Sequence, residues 1–440
     1  MTGDGGGAHP ALPKVGEEVA SPIRKGVPVV SGRRRPLLWE VWHYLGPAFL
    51  VSVGYMDPGN WGTDIEAGAR FGYDLLWVIL LSNLMAILIQ SLSAKLGIAT
   101  GRSLPENCRA HFPRALNVFL WVTAELSAMA TDLAEFLGGA LGFSLLLGIP
   151  LFPAALLTGI AVTLILALDR LGYRRVEYAI IGLVAVINLA FVVEVSLARP
   201  DWGAVAYHSV VPRVSSESIL VVVGIVGATV MPHNVYLHSA LVQSRLPGSL
   251  QGGRDRRRVF LFGLVDTVIA LNMAWLVNAA ILIMSAAVFY RHGLPVASIE
   301  EAHQTLRPLL GGVSSLVFAV GLLASGLASS TTATLAGQVI MGGFLDVRLS
   351  IWFRRLLTML PALVVIGLGM DPLRILILSQ VSLSLQLPFA VVPLILFTRR
   401  RDIMGEYVNR ALTTALAAAA GVIIIGLNGL LLYQLLGGRF

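Results

Sequence analysis

The sequence predicts an all-α integral membrane protein of eleven spanning helices, two of them broken at mid-depth. Three observations carry this. Of the 440 residues 56% are hydrophobic and only 13% charged, with a mean hydropathy of +0.78, a composition that a soluble chain of this size does not have. Apolar runs long enough to cross a bilayer recur along the whole length. Two of these runs are interrupted by a proline beside polar residues, at Asp57-Pro58-Gly59-Asn60 and at Met231-Pro232-His233-Asn234.

Taken in order, residues 1–38 are rich in Gly, Pro and charge and end in Arg33-Arg34-Arg35. They lack the apolar core of a signal peptide, so they read as a disordered cytoplasmic tail. The apolar runs place spans near 44–70 (broken), 75–97, 114–142, 151–168, 176–197, 218–243 (broken), 259–289, 312–342, 352–369, 372–397 and 408–436. The charged stretch 291–311 is the longest outer loop and has room for a short helix.

Charge sets the orientation. With the N-terminus inside, 25 of the 32 Lys and Arg fall in inner segments and 7 in outer ones, as the positive-inside rule requires. The C-terminus is then outside, and the expected location is the cell (inner) membrane. The pI near 9.8 and net charge of +7 therefore reflect topology, and nucleic acid is excluded as a partner. The one cysteine, Cys108, rules out an internal disulfide or a Cys-based metal cage.

The broken spans are the first and the sixth. Five spans separate the repeat starts, an odd number, so the second five run opposite to the first. This is an inverted 5+5 repeat of the LeuT type with an eleventh helix added. The expected divisions are 39–199 (spans 1–5), 200–398 (spans 6–10) and 399–440 (span 11).

An aspartate in an apolar run costs roughly 2.5–3.5 kcal/mol at a bilayer centre, and irregular backbone at that depth is tolerated only where it is buried in protein or lines a cavity. Asp57 and the break coincide, which points to an ion site. Asp57 offers a hard anionic oxygen, Asn60 an amide oxygen and Met231 a thioether. Gly54 and Ala228, about one turn before each break, offer carbonyls. Gln380 is a further oxygen in span ten. Such a mixed set suits a divalent transition metal, since sulfur adds little for Mg²⁺ or Ca²⁺. The alternative for Met231 is ordinary core packing.

His233 adjoins the second break and reads as proton-linked rather than ligating. His238 follows at i+5, about 140° round a helix, and no glutamate completes a zinc-peptidase pattern. A membrane-embedded metalloenzyme is thus the weaker alternative, and the chain is not expected to be an enzyme. A carrier of amino acids is a second alternative, against which Asp57 would repel the substrate carboxylate. Glu125, Asp132 and Glu135 share one face of span three over roughly 15 Å. That face must look into the bundle, as a proton relay or as a structural network paired to Arg354 and Arg355 at the start of span nine. The two readings are compatible. Asp64, Glu66, Glu194, Asp266 and Asn272 are weaker intramembrane signals.

Gly-Tyr-Met-Asp-Pro-Gly-Asn-Trp at 54–61 and Met-Pro-His-Asn at 231–234 resemble the paired signatures of the Nramp family of divalent metal transporters. Ala130-Thr131-Asp132-Leu133-Ala134-Glu135 resembles its acidic third-helix motif. The span pattern over about 40–436 matches too and is most similar to the bacterial manganese transporters. The resemblance implies proton-coupled import of Mn²⁺ and Fe²⁺, with Cd²⁺ and Co²⁺ also accepted, by alternating access. It implies Asp57, Asn60 and Met231 as side-chain ligands, Gly54 and Ala228 as carbonyl ligands, and Gln380 in some conformations. It also implies a proton path through Asp132, Glu135, His233 and Arg355, to which Glu125 and Arg354 add an inward extension. Metal and protons are cargo, so no resident cofactor is expected, and no oligomer is required. One departure is Gly54, where many relatives carry alanine; a carbonyl ligand survives that change.

Overall fold

The computed structural model describes residues 46–168, 173–245, 253–294, 296, 298–347 and 350–437. The expected tail at 1–38 lies outside them. Every described regular element is helical. α1 (Pro47–Gly54) and α2 (Pro58–Phe71) form the first broken span, followed by α3 (Leu76–Thr100), α4 (Leu104–His111), α5 (Arg114–Leu147), α6 (Leu151–Ala167), α7 (Tyr173–Ala198) and α8 (Trp202–Val210). The second broken span is α9 (Ile219–Val230) and α10 (Pro232–Leu241). Then come α11 (Gly253–Val288), α12 (Ile299–Leu310), α13 (Gly312–Leu345), α14 (Ile351–Gly367), α15 (Pro372–Thr398) and α16 (Ala411–Leu435).

A helix or a pair of half-helices stands at each of the eleven expected places. Among the described residues eight segments are long and apolar enough to cross a membrane by themselves, the α9–α10 pair counting as one. The α1–α2 pair, α6 and α14 are made of shorter helices. The room foreseen in 291–311 is filled by α12, whose Ser298 cap accepts from the Glu301 amide. Besides the four-residue helix Arg401–Met404, two short helices went unforeseen because neither has an apolar run long enough to span a membrane. One is α4, started by a Ser103–Glu106 capping box, a pattern legible in the sequence. The other is α8, capped by Asp201.

The surface is apolar, with Leu164, Leu189, Leu416 and Val422 exposed, while Asp57, Asp132, Glu135, His233 and Gln380 are buried. This inversion is what a lipid solvent demands. The most extensive helix contact joins α5 to α13. Small residues make it possible. A Cβ on Gly142 would lie 2.6 Å from the Leu323 Cα, and one on Gly326 would strike the Gly139 backbone. The two broken spans pack side by side, α1 against α10 and α2 against α9, with α11 and α15 alongside.

Candidate metal centre

Each break begins with a proline that opens a half-helix. Pro58 is the first residue of α2, and Asp57 is its N-cap, its carboxylate accepting the Asn60 amide at 2.8 Å. Proline at this position loses no intrahelical hydrogen bond. Its missing N–H, however, leaves the carbonyl four residues earlier without its helical donor. That carbonyl is Gly54 at the first break and Ala228 at the second, before Pro232. The two carbonyls expected from sequence are therefore the two that the prolines release. Gly54 O takes a tighter-turn bond from Asp57 N at 3.2 Å instead, and both carbonyls accept from Asn60 Nδ2, Ala228 O at 3.1 Å and Gly54 O at 3.4 Å.

Asp57 is fully buried with no cation beside it among the described residues. Its Oδ1 also accepts from Asn60 Nδ2 at 2.6 Å, and its Oδ2 accepts from Gln380 Nε2 at 3.3 Å. Gln380 reaches it because residue 59 is glycine: a Cβ there would occupy the place of the Gln380 amide. Met231 closes the gap between α9 and α10 at φ 39°, ψ 101°, a left-handed conformation that a side chain resists and that clusters at functional sites. It turns the thioether toward the first break, with Sδ 3.2 Å from where a Cβ on Gly54 would stand. The same Cβ would collide with the Asn234 amide. The glycine at 54 thus relieves crowding, a reason the sequence alone did not disclose.

The six residues expected to hold metal come together here: Gly54, Asp57, Asn60, Ala228, Met231 and Gln380. Among the described residues no three His, Cys, Asp or Glu side chains gather into a metal cage. One carboxylate, released carbonyls, amides and a thioether are the whole donor set. In this structure Asn60 turns its Nδ2, not its oxygen, to the centre.

The acidic face of α5 lies beside this centre and looks into the bundle. Glu125 meets Arg354 at 2.8 Å and Asp132 meets Arg355 at 2.6 Å. The structural network expected from sequence thus joins Glu125 and Asp132 to the two arginines of α14. Glu135 is fully buried, and neither of its oxygens has a hydrogen-bond partner. His233 Nδ1 meets Thr131 Oγ1 at 3.2 Å, one residue from Asp132, and its Nε2 is unpartnered. Arg354 fits because position 337 is glycine, where any Cβ would overlap the guanidinium.

Sequence reasoning missed Thr131, and it missed Asn278 of α11, which donates to Tyr55 O at 2.9 Å and to Asn60 Oδ1 at 3.2 Å. The available signal for Asn278 was an amide in an apolar run. It also missed a chain in which His238 Nδ1 meets Gln90 Oε1 at 3.0 Å and Gln90 donates to Tyr55 Oη at 2.7 Å. The weaker signals have local partners. Asp266 accepts from Gly46 N and Ala48 N at the start of α1, Glu194 from Ser314 at 2.6 Å, and Glu66 pairs with Arg70. Asn272 donates to its own helix, and Asp64 is buried.

Two interrupted helices meeting at a buried carboxylate inside an all-helical bundle define a membrane transporter fold. The chain shares that fold with Mhp1, a nucleobase-cation-symport-1 family transporter, at a TM-score of 0.59 and 14% identity, covering 88% of this chain and 92% of that one. More narrowly, the model of the natural resistance-associated macrophage protein-like (Nramp) family matches residues 48–434, and the chain belongs to that family. It is 51% identical over 418 residues to the divalent metal cation transporter MntH of Caldanaerobacter subterraneus subsp. tengcongensis, covering 93% of this chain and 99% of that protein. It is 52% identical to MntH of Deinococcus radiodurans, covering 90% of each. The manganese transporter of Eremococcus coleocola superposes with a TM-score of 0.81 at 36% identity, over 91% of this chain and 88% of that one.

Proposed function

We propose that this protein imports divalent transition-metal ions, Mn²⁺ and Fe²⁺ foremost and Cd²⁺ or Co²⁺ as well, with proton co-transport by alternating access. The observation that carries the proposal is the meeting of the Asp57 carboxylate, the released carbonyls of Gly54 and Ala228 and the Met231 thioether between two half-helices. Carbonyl ends of half-helices favour cations, and one thioether beside hard oxygens favours a transition metal over Ca²⁺ or Mg²⁺. The names of the MntH relatives and of the Eremococcus manganese transporter support the same cargo. An amino-acid carrier is disfavoured, because Asp57 stands where the substrate carboxylate would bind.

A divalent ion entering against Asp57 favours loss of any proton held nearby. Glu135, buried with neither oxygen hydrogen-bonded and one turn from Asp132 on α5, is the first acceptor. Asp132 and Glu125, each tied to an arginine of α14, continue the stair toward the cytoplasm. This route is separate from the metal route between the broken helices, and His233 with Thr131 borders it. The orientation has the N-terminus inside and the C-terminus outside a cell membrane, with eleven spans divided at 39–199, 200–398 and 399–440. One chain supplies every site residue, so a monomer suffices.

The test is Mn²⁺ uptake into proteoliposomes with internal pH recorded. Wild type should take up Mn²⁺ and acidify the interior, and Asp57→Ala should do neither. Uptake that persists at the wild-type rate in Asp57→Ala would sink the metal site.

A further inference from the structure

The centre is held together by an amide facing the wrong way for a ligand. Asn60 Nδ2 donates toward Asp57 Oδ1 at 2.6 Å, Ala228 O at 3.1 Å and Gly54 O at 3.4 Å. These are the oxygens a cation would use, so the positive end of the amide stands in for the cation. Chemistry dictates this orientation. With the amide reversed, Oδ1 would face a carboxylate oxygen at the same distance, and two acceptors repel. The reverse side is equally specified. Asn60 Oδ1 accepts from Asn278 Nδ2 at 3.2 Å, while that Nδ2 also donates to Tyr55 O at 2.9 Å. The tie to the carbonyl of Tyr55 sets which way the Asn278 amide faces. Its own Oδ1 is buried without a hydrogen-bond partner.

For Asn60 to offer its oxygen to a metal, its amide must turn over. Its Nδ2 would then meet Asn278 Nδ2, donor against donor, and the bond from Asn278 would be lost. Reversing Asn278 as well would set its Oδ1 against Tyr55 O, acceptor against acceptor. Either way the arrangement of α11 opposes the liganded state. We infer that Asn278 is a positioning residue that latches Asn60 in its non-ligating orientation and so weakens metal binding, setting the affinity at a level from which the ion can leave. The inference rests on the proposed metal site, with Asn60 as a ligand.

It makes a prediction of unusual sign. A hydrogen bond present only before the metal binds opposes binding, so deleting it tightens binding. Removing one such bond is worth roughly fivefold in affinity. Asn278→Ala and the similarly sized Asn278→Leu should each bind Cd²⁺ about fivefold more tightly by titration calorimetry on purified protein. In proteoliposomes KM and kcat for Mn²⁺ should fall together, because release becomes slower. A residue that merely supports the backbone at Tyr55 predicts the opposite, weaker binding with a lower melting temperature. Asn278→Leu keeps the volume filled and carries the test where the alanine variant does not fold. Unchanged or weaker Cd²⁺ binding in a variant that melts like wild type overturns the latch. Wild type and Asp57→Ala are titrated in parallel: equal binding by those two overturns the metal site itself, whereas a lost signal in Asp57→Ala with no tightening at position 278 overturns only the latch.

Discussion

Replacing Asp132 with asparagine separates the ion pair that the acidic face of α5 makes from the proton relay proposed for it. Asp132 Oδ1 meets Arg355 Nη1 at 2.6 Å, and each side chain is 3% exposed. Removing one charge from a buried pair costs about 3–5 kcal/mol, because the partner is left uncompensated. Asparagine keeps an acceptor for Arg355 and for Ser330, whose hydroxyl reaches Asp132 at 3.4 Å, so the expected cost is near the lower end, about 3 kcal/mol. Removing both charges of such a pair is often nearly neutral. Asp132→Asn/Arg355→Gln should therefore recover most of the lost stability. Metal affinity should change little in both variants, since Asp132 shares no hydrogen bond with Asp57, Asn60 or Gln380. Proton entry should fail in both, since neither has a carboxylate at 132. The assays are thermal unfolding, Mn²⁺ affinity, and internal acidification driven by Mn²⁺ in liposomes. Wild-type acidification in Asp132→Asn, with wild-type metal dependence, refutes the relay. Recovery of acidification together with stability in the double variant refutes it as well, and leaves the pair a purely structural one.

Met231→Ala should retain part of the Mn²⁺ transport and admit Ca²⁺ or Mg²⁺ better, as the sulfur acts through selectivity; unchanged Ca²⁺ competition counts against the thioether as a ligand. Gly138→Ala places a Cβ on the rigid ring of Pro58, so it should destabilise by about 1–3 kcal/mol and impair transport by pushing α2 off α5; wild-type melting and uptake would contradict that packing. Burial holds His303 below the usual histidine range, with Arg307 adding to this and a hydrogen bond to Ser315 opposing it. A lowered folded-state pKa makes protonation favour the unfolded form, so α12 should loosen on α13 as pH falls below the ordinary histidine value, seen as faster hydrogen exchange at low pH that His303→Gln abolishes. Cysteines placed at Arg256 and Leu436 should label from opposite sides, with Cys108, buried and its thiol pushed up by burial, staying silent; labelling of both from one side contradicts the topology.

Much of the centre was legible because its causes are local. A proline removes one N–H and releases one carbonyl four residues back, so Pro58 and Pro232 identify Gly54 and Ala228 without any knowledge of the fold. A carboxylate in an apolar run must face a partner or a cavity, which singles out Asp57. Seven- and three-residue spacings put Glu125, Asp132 and Glu135 on one face whatever packs against it. What the sequence left open depends on atoms far apart in the chain. Asn278 meets Asn60 across 218 residues, and no periodicity in α11 distinguishes it from Asn272, which bonds only to its own helix and to Asn83. The direction of the Asn60 amide likewise belongs to the assembled site, since Asp57, two carbonyls and Asn278 impose it from four sides. In sequence Gly54 signals a carbonyl ligand, and nothing marks the space that it, Gly59 and Gly337 leave open. Only the packed structure shows them as the space that Asn234, Gln380 and Arg354 occupy. Local covalent geometry and solvent preference are written along the chain, whereas the choice among buried polar partners is made by the packing of helices that the chain brings together from distant places.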